Sequence, residues 1–181
     1  MFLYHGTKRK FDKFSLDYVG ETGTSEGFGI YLTNSLDIAS NYAQPYIMAV
    51  EVKLENHISK ETKMNLVQYR MLVETLQQHT DLLSNYGEVA YEGYAVVLER
   101  ALDTYNYCDN DIDLISELAN SIGSKELVNR AMYNLFHVTH IIDNDPEWGK
   151  LKDANHIIYV VLLPEFTRIV DIKDKKLLIK G

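Results

Sequence analysis

Seven consecutive residues, Ile157-Ile158-Tyr159-Val160-Val161-Leu162-Leu163, constrain this chain more than any other feature. The run is too continuous to leave one face in water, so it reads as a central strand covered on both sides. Shorter strands gather around it. Phe2 to His5 alternates and puts Tyr4 and His5 on opposite faces, with a turn required at Gly6. Gly29 to Thr33 reads as a second strand, and Ile47 to Leu54 as a half-buried one, with Val50, Val52 and Leu54 alternating with Glu51 and Lys53. Arg168–Ile172 and Lys176–Ile179 are candidates for one or two closing strands.

Between these strands the period changes. Segments near 61–79, 88–105, 111–122 and 125–137 carry apolar residues three and four apart, and Gly123 suits a helix C-cap. A short helix also follows Thr33, capped by Asn34 or Ser35, with Leu36, Ala39, Tyr42 and Ala43 at helical spacing. Residues 8–19 read as a surface connection anchored by Phe11, Phe14 and Leu16, and 20–27 as a mobile glycine-rich loop. The fold class expected is α+β: a small mixed sheet core split by a helical insertion over about 57–137, with 1–181 forming one domain.

Charge and cysteine content remove several function classes. A formal net charge of −8 works against tight binding to nucleic-acid backbone. The single cysteine, Cys108, excludes an internal disulfide and a cysteine-based zinc cluster. No stretch has the make-up of a signal peptide or the length of a membrane span, so a cytoplasmic site of action, in a bacterial or host cell, and no membrane partner are expected. Asp109-Asn110-Asp111-Ile112-Asp113 begins like a calcium loop but has Leu114 at the sixth position and Asn120 at the twelfth; it reads better as a helix N-terminus. The glycine-rich loop lacks the ending of a phosphate-binding P-loop and precedes a strand. His137 and His140 have no convincing third ligand and receive no role, and no metal is expected.

The chemistry-bearing set is Tyr4-His5-Gly6-Thr7, followed by Gly27-Phe28-Gly29-Ile30-Tyr31-Leu32-Thr33 and then Asn41-Tyr42. Two tyrosines eleven residues apart and a histidine at a strand end suit a pocket for a flat, amide-bearing ring. With 13 tyrosines in the chain, ordinary core packing is the competing account of each. Lys8-Arg9-Lys10, like Lys173-Asp174-Lys175-Lys176, reads as a solvated loop, although beside a dinucleotide site Arg9 or Lys10 could meet a pyrophosphate.

This ordered set resembles the NAD-binding core of ADP-ribosyltransferases of the diphtheria-toxin and poly(ADP-ribose)-polymerase type. It is also similar to the compact ADP-ribosyltransferase domains carried by phages and mobile elements. The likeness covers residues 2–46 well and 155–172 loosely, and leaves about 57–137 without a counterpart. It implies a split-sheet cleft binding NAD+ as co-substrate. His5 would bond the adenine-side ribose, Gly6 the nicotinamide carboxamide, and Tyr31 and Tyr42 would sandwich the nicotinamide, with Thr7 bracing the turn. It further implies cleavage of the nicotinamide–ribose bond and transfer of ADP-ribose to an acceptor, through an oxocarbenium-like transition state.

Two departures stand out. Polymer-forming relatives carry a Glu just ahead of the late strand, where this chain has Ile158 or His156, which resembles the mono-ADP-ribosylating branch. Glu165 is the nearest acidic candidate for a catalytic role beside Tyr31, with Glu21 and Glu26 as further ones. Ala39 stands where polymerase relatives place a Ser that bonds the carboxamide, so modest NAD affinity is expected. Nor does the chain carry the Glu-x-Glu of the arginine-modifying group. The expected function is mono-ADP-ribosylation of a host or defence protein, in a toxin, effector or anti-defence role. A non-catalytic module binding NAD or ADP-ribose, and transfer to nucleic acid, are the alternatives.

Overall fold

The computed structural model describes residues 1–18, 29–42, 45–79, 94–143 and 156–174. Seven strands form one sheet in the order β4-β5-β6-β2-β1-β3-β7. They are β1 (Phe2–Thr7), β2 (Ile30–Thr33), β3 (Tyr46–Val52), β4 (Asn56–Ile58), β5 (Val138–Asp143), β6 (Ile158–Val161) and β7 (Thr167–Asp174). Five α-helices occur among the described residues: α1 (Leu36–Tyr42), α2 (Leu66–His79), α3 (Tyr94–Tyr107), α4 (Asp111–Ile122) and α5 (Lys125–Phe136). The class is α+β, as the sequence led us to expect. The chain divides into two compact units, Met1–His57 with Thr139–Gly181, and Ile58–Val138.

In the first unit the late apolar run is the interior strand β6, paired antiparallel to both β2 and β5. Val160 and Val161 are fully buried, and so are Leu162 and Leu163 where the chain leaves the strand. β1 does not turn at Gly6. It runs on to Thr7 because β3 offers a continuous partner, Gly6 opposite Ile47 and Thr7 opposite Tyr46. β4 and β5 were not expected: β4 has only three residues, and β5 follows directly on a helix whose periodicity masks it.

Pairing is uneven across the sheet. β1 matches β3 at six positions and β2 matches β6 at four, yet β1 meets β2 at the single pair Tyr4↔Thr33. The link from β6 to β7 shows what this seam permits. In a flat sheet β7 would lie four strand spacings from β6, about 19 Å. It would also begin at the wrong end, since Val161 is level with the Thr7 end of β1 while Thr167 pairs with Val52 beside Met1. Five residues reach only about 20 Å and cannot cover both displacements. The sheet therefore does not lie flat between β6 and β7, and the sparsely paired β1/β2 seam is the weakest junction between them.

Alternation then decides what is inside. Leu3, Met48 and Val50 share one face of β1 and β3, and Ile30, Leu32 and Val161 share one face of β2 and β6; all are buried. Tyr4 points the other way and packs with Ile47 and Ala39, so α1 covers that face. On β7, Ile169 and Ile172 are three apart and would normally face opposite sides. A bulge between Ala49 and Val50 on the partner register takes up Val170, which is left 43 % exposed, and sets Ile169 opposite Val50 and Ile172 opposite Met48.

The second unit is helical. Tyr69, Leu72, Val73 and Leu76 make the buried stripe of α2, and Ile112, Leu114, Ile115, Leu118, Ala119 and Ile122 that of α4. The would-be calcium loop is a helix start: Asn110 caps α4 by accepting from the Asp113 N–H at 3.0 Å. Asp111, 4 % exposed, accepts from the Met64 N–H at 2.7 Å and ties α4 to the entry of α2, which begins at Leu66 rather than near 61. Gly123 closes α4 at φ 72°, and Ser124 starts α5. His137 ends α5 in the left-handed region at φ 54°. Of the expected elements, the loop at 20–27, the first residues (88–93) of the helix expected over 88–105 and the strand at Lys176–Ile179 lie outside the described residues.

Candidate functional site

The site grows out of the seam. Just past the Tyr4↔Thr33 pair, β1 and β2 cease to exchange backbone bonds, and the His5 side chain bridges the opening. Its Nδ1 lies 2.8 Å from the Tyr31 carbonyl oxygen. A carbonyl oxygen only accepts, so Nδ1 carries the proton and donates. Burial pushes the imidazole below its ordinary pKa, and the bond to Tyr31 works in the opposite sense without reversing it. His5 is thus a neutral ring whose Nε2 keeps a lone pair, suited to accept from a hydroxyl.

Two phenylalanines wall this ring. Phe14 meets His5 edge-on at 5.2 Å between centroids and Phe11 at 6.2 Å, and the two Phe rings touch each other at 5.1 Å. They are the anchors expected for the connection after β1, and what they anchor on is His5. Thr7 accepts from the Arg9 N–H at 3.3 Å, so it braces the turn that follows β1. Lys10 returns to the sheet, with its ammonium 4.9 Å from the centre of the Tyr46 ring.

Tyr31 lies mid-strand on β2, opposite Val160, and is half-buried. Gly29, just ahead of β2, is there for closeness: a Cβ on it would stand 2.3 Å from the Val161 carbonyl oxygen, and its φ is outside the left-handed region. Asn34 fastens the far end of the β2/β6 pair by accepting from the Ile157 N–H at 2.8 Å. Of the two capping candidates for α1, Ser35 takes the role, accepting from the Ile38 N–H at 3.3 Å. Tyr42 is the last residue of α1, 41 % exposed, and desolvation raises its phenol above the ordinary value.

The structure brings His5, Gly6, Thr7 and Tyr31 together at the seam and sets Tyr42 at the end of the helix that follows β2. It does not bring Glu165 to them through the backbone. Glu165 is exposed on the 3-10 turn Pro164–Phe166, next to the residue whose carbonyl accepts from the Lys53 N–H. That is the Met1 end of β1, about four residues or ~13 Å along the strand from His5. Ile158 is buried at the start of β6, and Ala39 is buried against Ile47 and Tyr4. Ser40 donates to the Asp37 carbonyl of its own helix at 2.8 Å. Glu21, Glu26 and Gly27 lie outside the described residues. Two contacts had no legible signal in the sequence: the Nδ1 bond to a backbone oxygen and the seating of Lys10 on Tyr46. Each needs the register of a strand pair to be known first.

Among the described residues no group of three or more His, Cys, Asp and Glu side chains is placed to hold a metal, and no helix is long and apolar enough to cross a membrane. A family model described as ADP-ribosyltransferase in polyvalent proteins matches residues 1–128. No curated protein and no solved structure matches the chain.

Proposed function

The chain belongs to the ADP-ribosyltransferases of polyvalent proteins, and on that premise we propose that it is an NAD-dependent mono-ADP-ribosyltransferase acting on a protein, with a host or defence protein as the acceptor. The observation that carries the reading is the neutral His5 ring held at the split between β1 and β2 by the Tyr31 carbonyl. With Nδ1 committed, Nε2 accepts from a ribose hydroxyl. The Gly6 backbone offers an N–H and a C=O to the carboxamide without side-chain entropy, and the rings of Tyr31 and Tyr42 flank the nicotinamide.

In the reaction the C1′–N bond to nicotinamide breaks, and its electron pair leaves with the ring, which becomes neutral. The acceptor then forms the new bond at C1′. A cationic pyridinium is already a good leaving group, so this chain's residues chiefly hold the bent dinucleotide in line with its acceptor. An acceptor carboxylate attacks without losing a proton; a hydroxyl or amine needs a base, for which Glu21 and Glu26 are the candidates, since Glu165 stands at the far end of β1. The test is incubation with labelled NAD+ and a bacterial lysate, comparing wild type with His5→Ala and Tyr31→Ala. Labelled protein and free nicotinamide are expected from wild type only.

Neither Ile158, which is buried, nor His156 is acidic where the resemblance puts the Glu of polymer-forming relatives, and this favours a second reading: a module that binds NAD or ADP-ribose without turnover. In the same assay that reading replaces the first if NAD+ binds while no label is transferred and no nicotinamide is released. Label sensitive to nuclease rather than protease would point to a nucleic-acid acceptor.

A further inference from the structure

We propose that Lys10 is the diphosphate-binding residue of the site, held in place by the ring of Tyr46; this rests on the NAD reading above. Thr7 and Tyr46 are directly paired across β1 and β3. Side chains of paired residues project to the same face, and residues two apart on a strand do so as well. His5, Thr7 and Tyr46 therefore share one face at the C-terminal end of β1. The Cα atoms of His5 and Thr7 are about 6.7 Å apart and that of Tyr46 about 5 Å from Thr7. The Tyr46 ring that seats the Lys10 ammonium therefore lies on the imidazole's face of the sheet, one strand over. In a dinucleotide whose ribose hydroxyl meets His5, that is where the diphosphate begins.

Lys10 is exposed, and a free lysine at such a position would spread over many rotamers. The aromatic face selects one placement for the ammonium, 4.9 Å from the ring centre. Contact with the ring occupies one side of the ammonium and leaves donors for phosphate oxygens. Thr7 contributes by fixing the turn through the Arg9 N–H, which sets the direction from which Lys10 returns. Among the described residues Lys8 and Arg9 have no comparable seat, so of the basic trio only Lys10 is positioned. The overall charge of −8 makes this cation more conspicuous, because an anionic ligand approaching the molecule needs a local partner.

The experiment is calorimetric titration of wild type, Lys10→Gln, Lys10→Arg and Tyr46→Leu with NAD+ and with nicotinamide riboside, which carries no phosphate. Lys10→Gln is expected to weaken NAD+ about tenfold, the size of one charge-assisted contact, and to leave nicotinamide riboside unchanged. Lys10→Arg should restore most of the affinity, and Tyr46→Leu should lose about threefold. Raising the salt concentration should weaken NAD+ binding more in wild type than in Lys10→Gln. Equal NAD+ affinity in wild type and Lys10→Gln overturns the proposal and leaves the NAD reading standing. A parallel loss for nicotinamide riboside also overturns it, since the residue would then be acting on the fold. If wild type does not bind NAD+, the NAD reading falls and the proposal falls with it.

Discussion

Replacing Gly29 with alanine tests whether this glycine of the signature serves packing or the ligand. The new Cβ would lie 2.3 Å from the Val161 carbonyl oxygen, 3.0 Å from its carbonyl carbon and 3.2 Å from Val160 Cγ1. Ordinary contact needs about 3.5 Å, so the two strands must separate by roughly 1.2 Å at that point. Both close atoms are backbone, and no rotamer change relieves them. Such a separation breaks the Ile30↔Val161 pairing next door. Overpacking costs about 1–3 kcal/mol, and each lost ladder bond adds about 1 kcal/mol. The unfolded chain gives back about 0.4–1 kcal/mol, because alanine has less freedom to lose.

The net destabilisation is about 3 kcal/mol. With a urea slope of about 2 kcal/mol/M the midpoint falls by roughly 1.5 M. Urea titration followed by circular dichroism reads this directly, and faster amide exchange at Ile30 and Val161 locates it. A midpoint shift below about 0.3 M would refute the steric account. The glycine would then have to be explained by the ligand.

Tyr42→Ala should weaken NAD+ about fivefold by removing one aromatic face, while lowering stability by less than about 1 kcal/mol, as measured by calorimetry and thermal melts. His140 is buried in β5 beside His57 and Tyr159, and burial first, then the nearby His57, lowers its pKa to about 4. Between that value and about 6.5 the unfolded chain takes up a proton that the folded one refuses, so the contribution of His140 is whole above about pH 6.5 and falls by up to ~3 kcal/mol as pH drops to 4. Stability measured across that range should slope less in His140→Gln; an identical slope would remove His140 as the cause. His137→Gly should raise stability by about 1 kcal/mol by relieving a left-handed backbone at the end of α5, and an unchanged melting temperature would count against it.

What was legible in the sequence follows from the range of the forces concerned. Helix α4, with its Asn110 and Gly123 ends, is specified by residues within one turn of each other, and 111–122 is what the periodicity predicts. The interior strand at Ile158–Val161 is specified by its own apolar run. Strand β1 was cut short at Gly6 because its last two residues are held by Ile47 and Tyr46, forty residues away. β5 hid behind the helical period of Val128 to Met132, and the bulge that absorbs Val170 left no mark in composition. At the site, His5, Gly6, Thr7 and Tyr31 could be picked out as residue types in order. The tautomer of His5, the walls made by Phe11 and Phe14 and the seat of Lys10 depend on how β1 faces β2 and β3, which a single sequence does not state.

The bond from His5 to the Tyr31 carbonyl does a second job. It stands where the next rung of the β1/β2 ladder would be, so a side chain carries part of what backbone elsewhere carries. A chain built this way has little room to drift: giving up the histidine means finding another way to hold two halves of a sheet together. On the proposed reading, ligand chemistry and fold integrity are written into one imidazole, and a descendant that abandoned the reaction would still have reason to keep the residue.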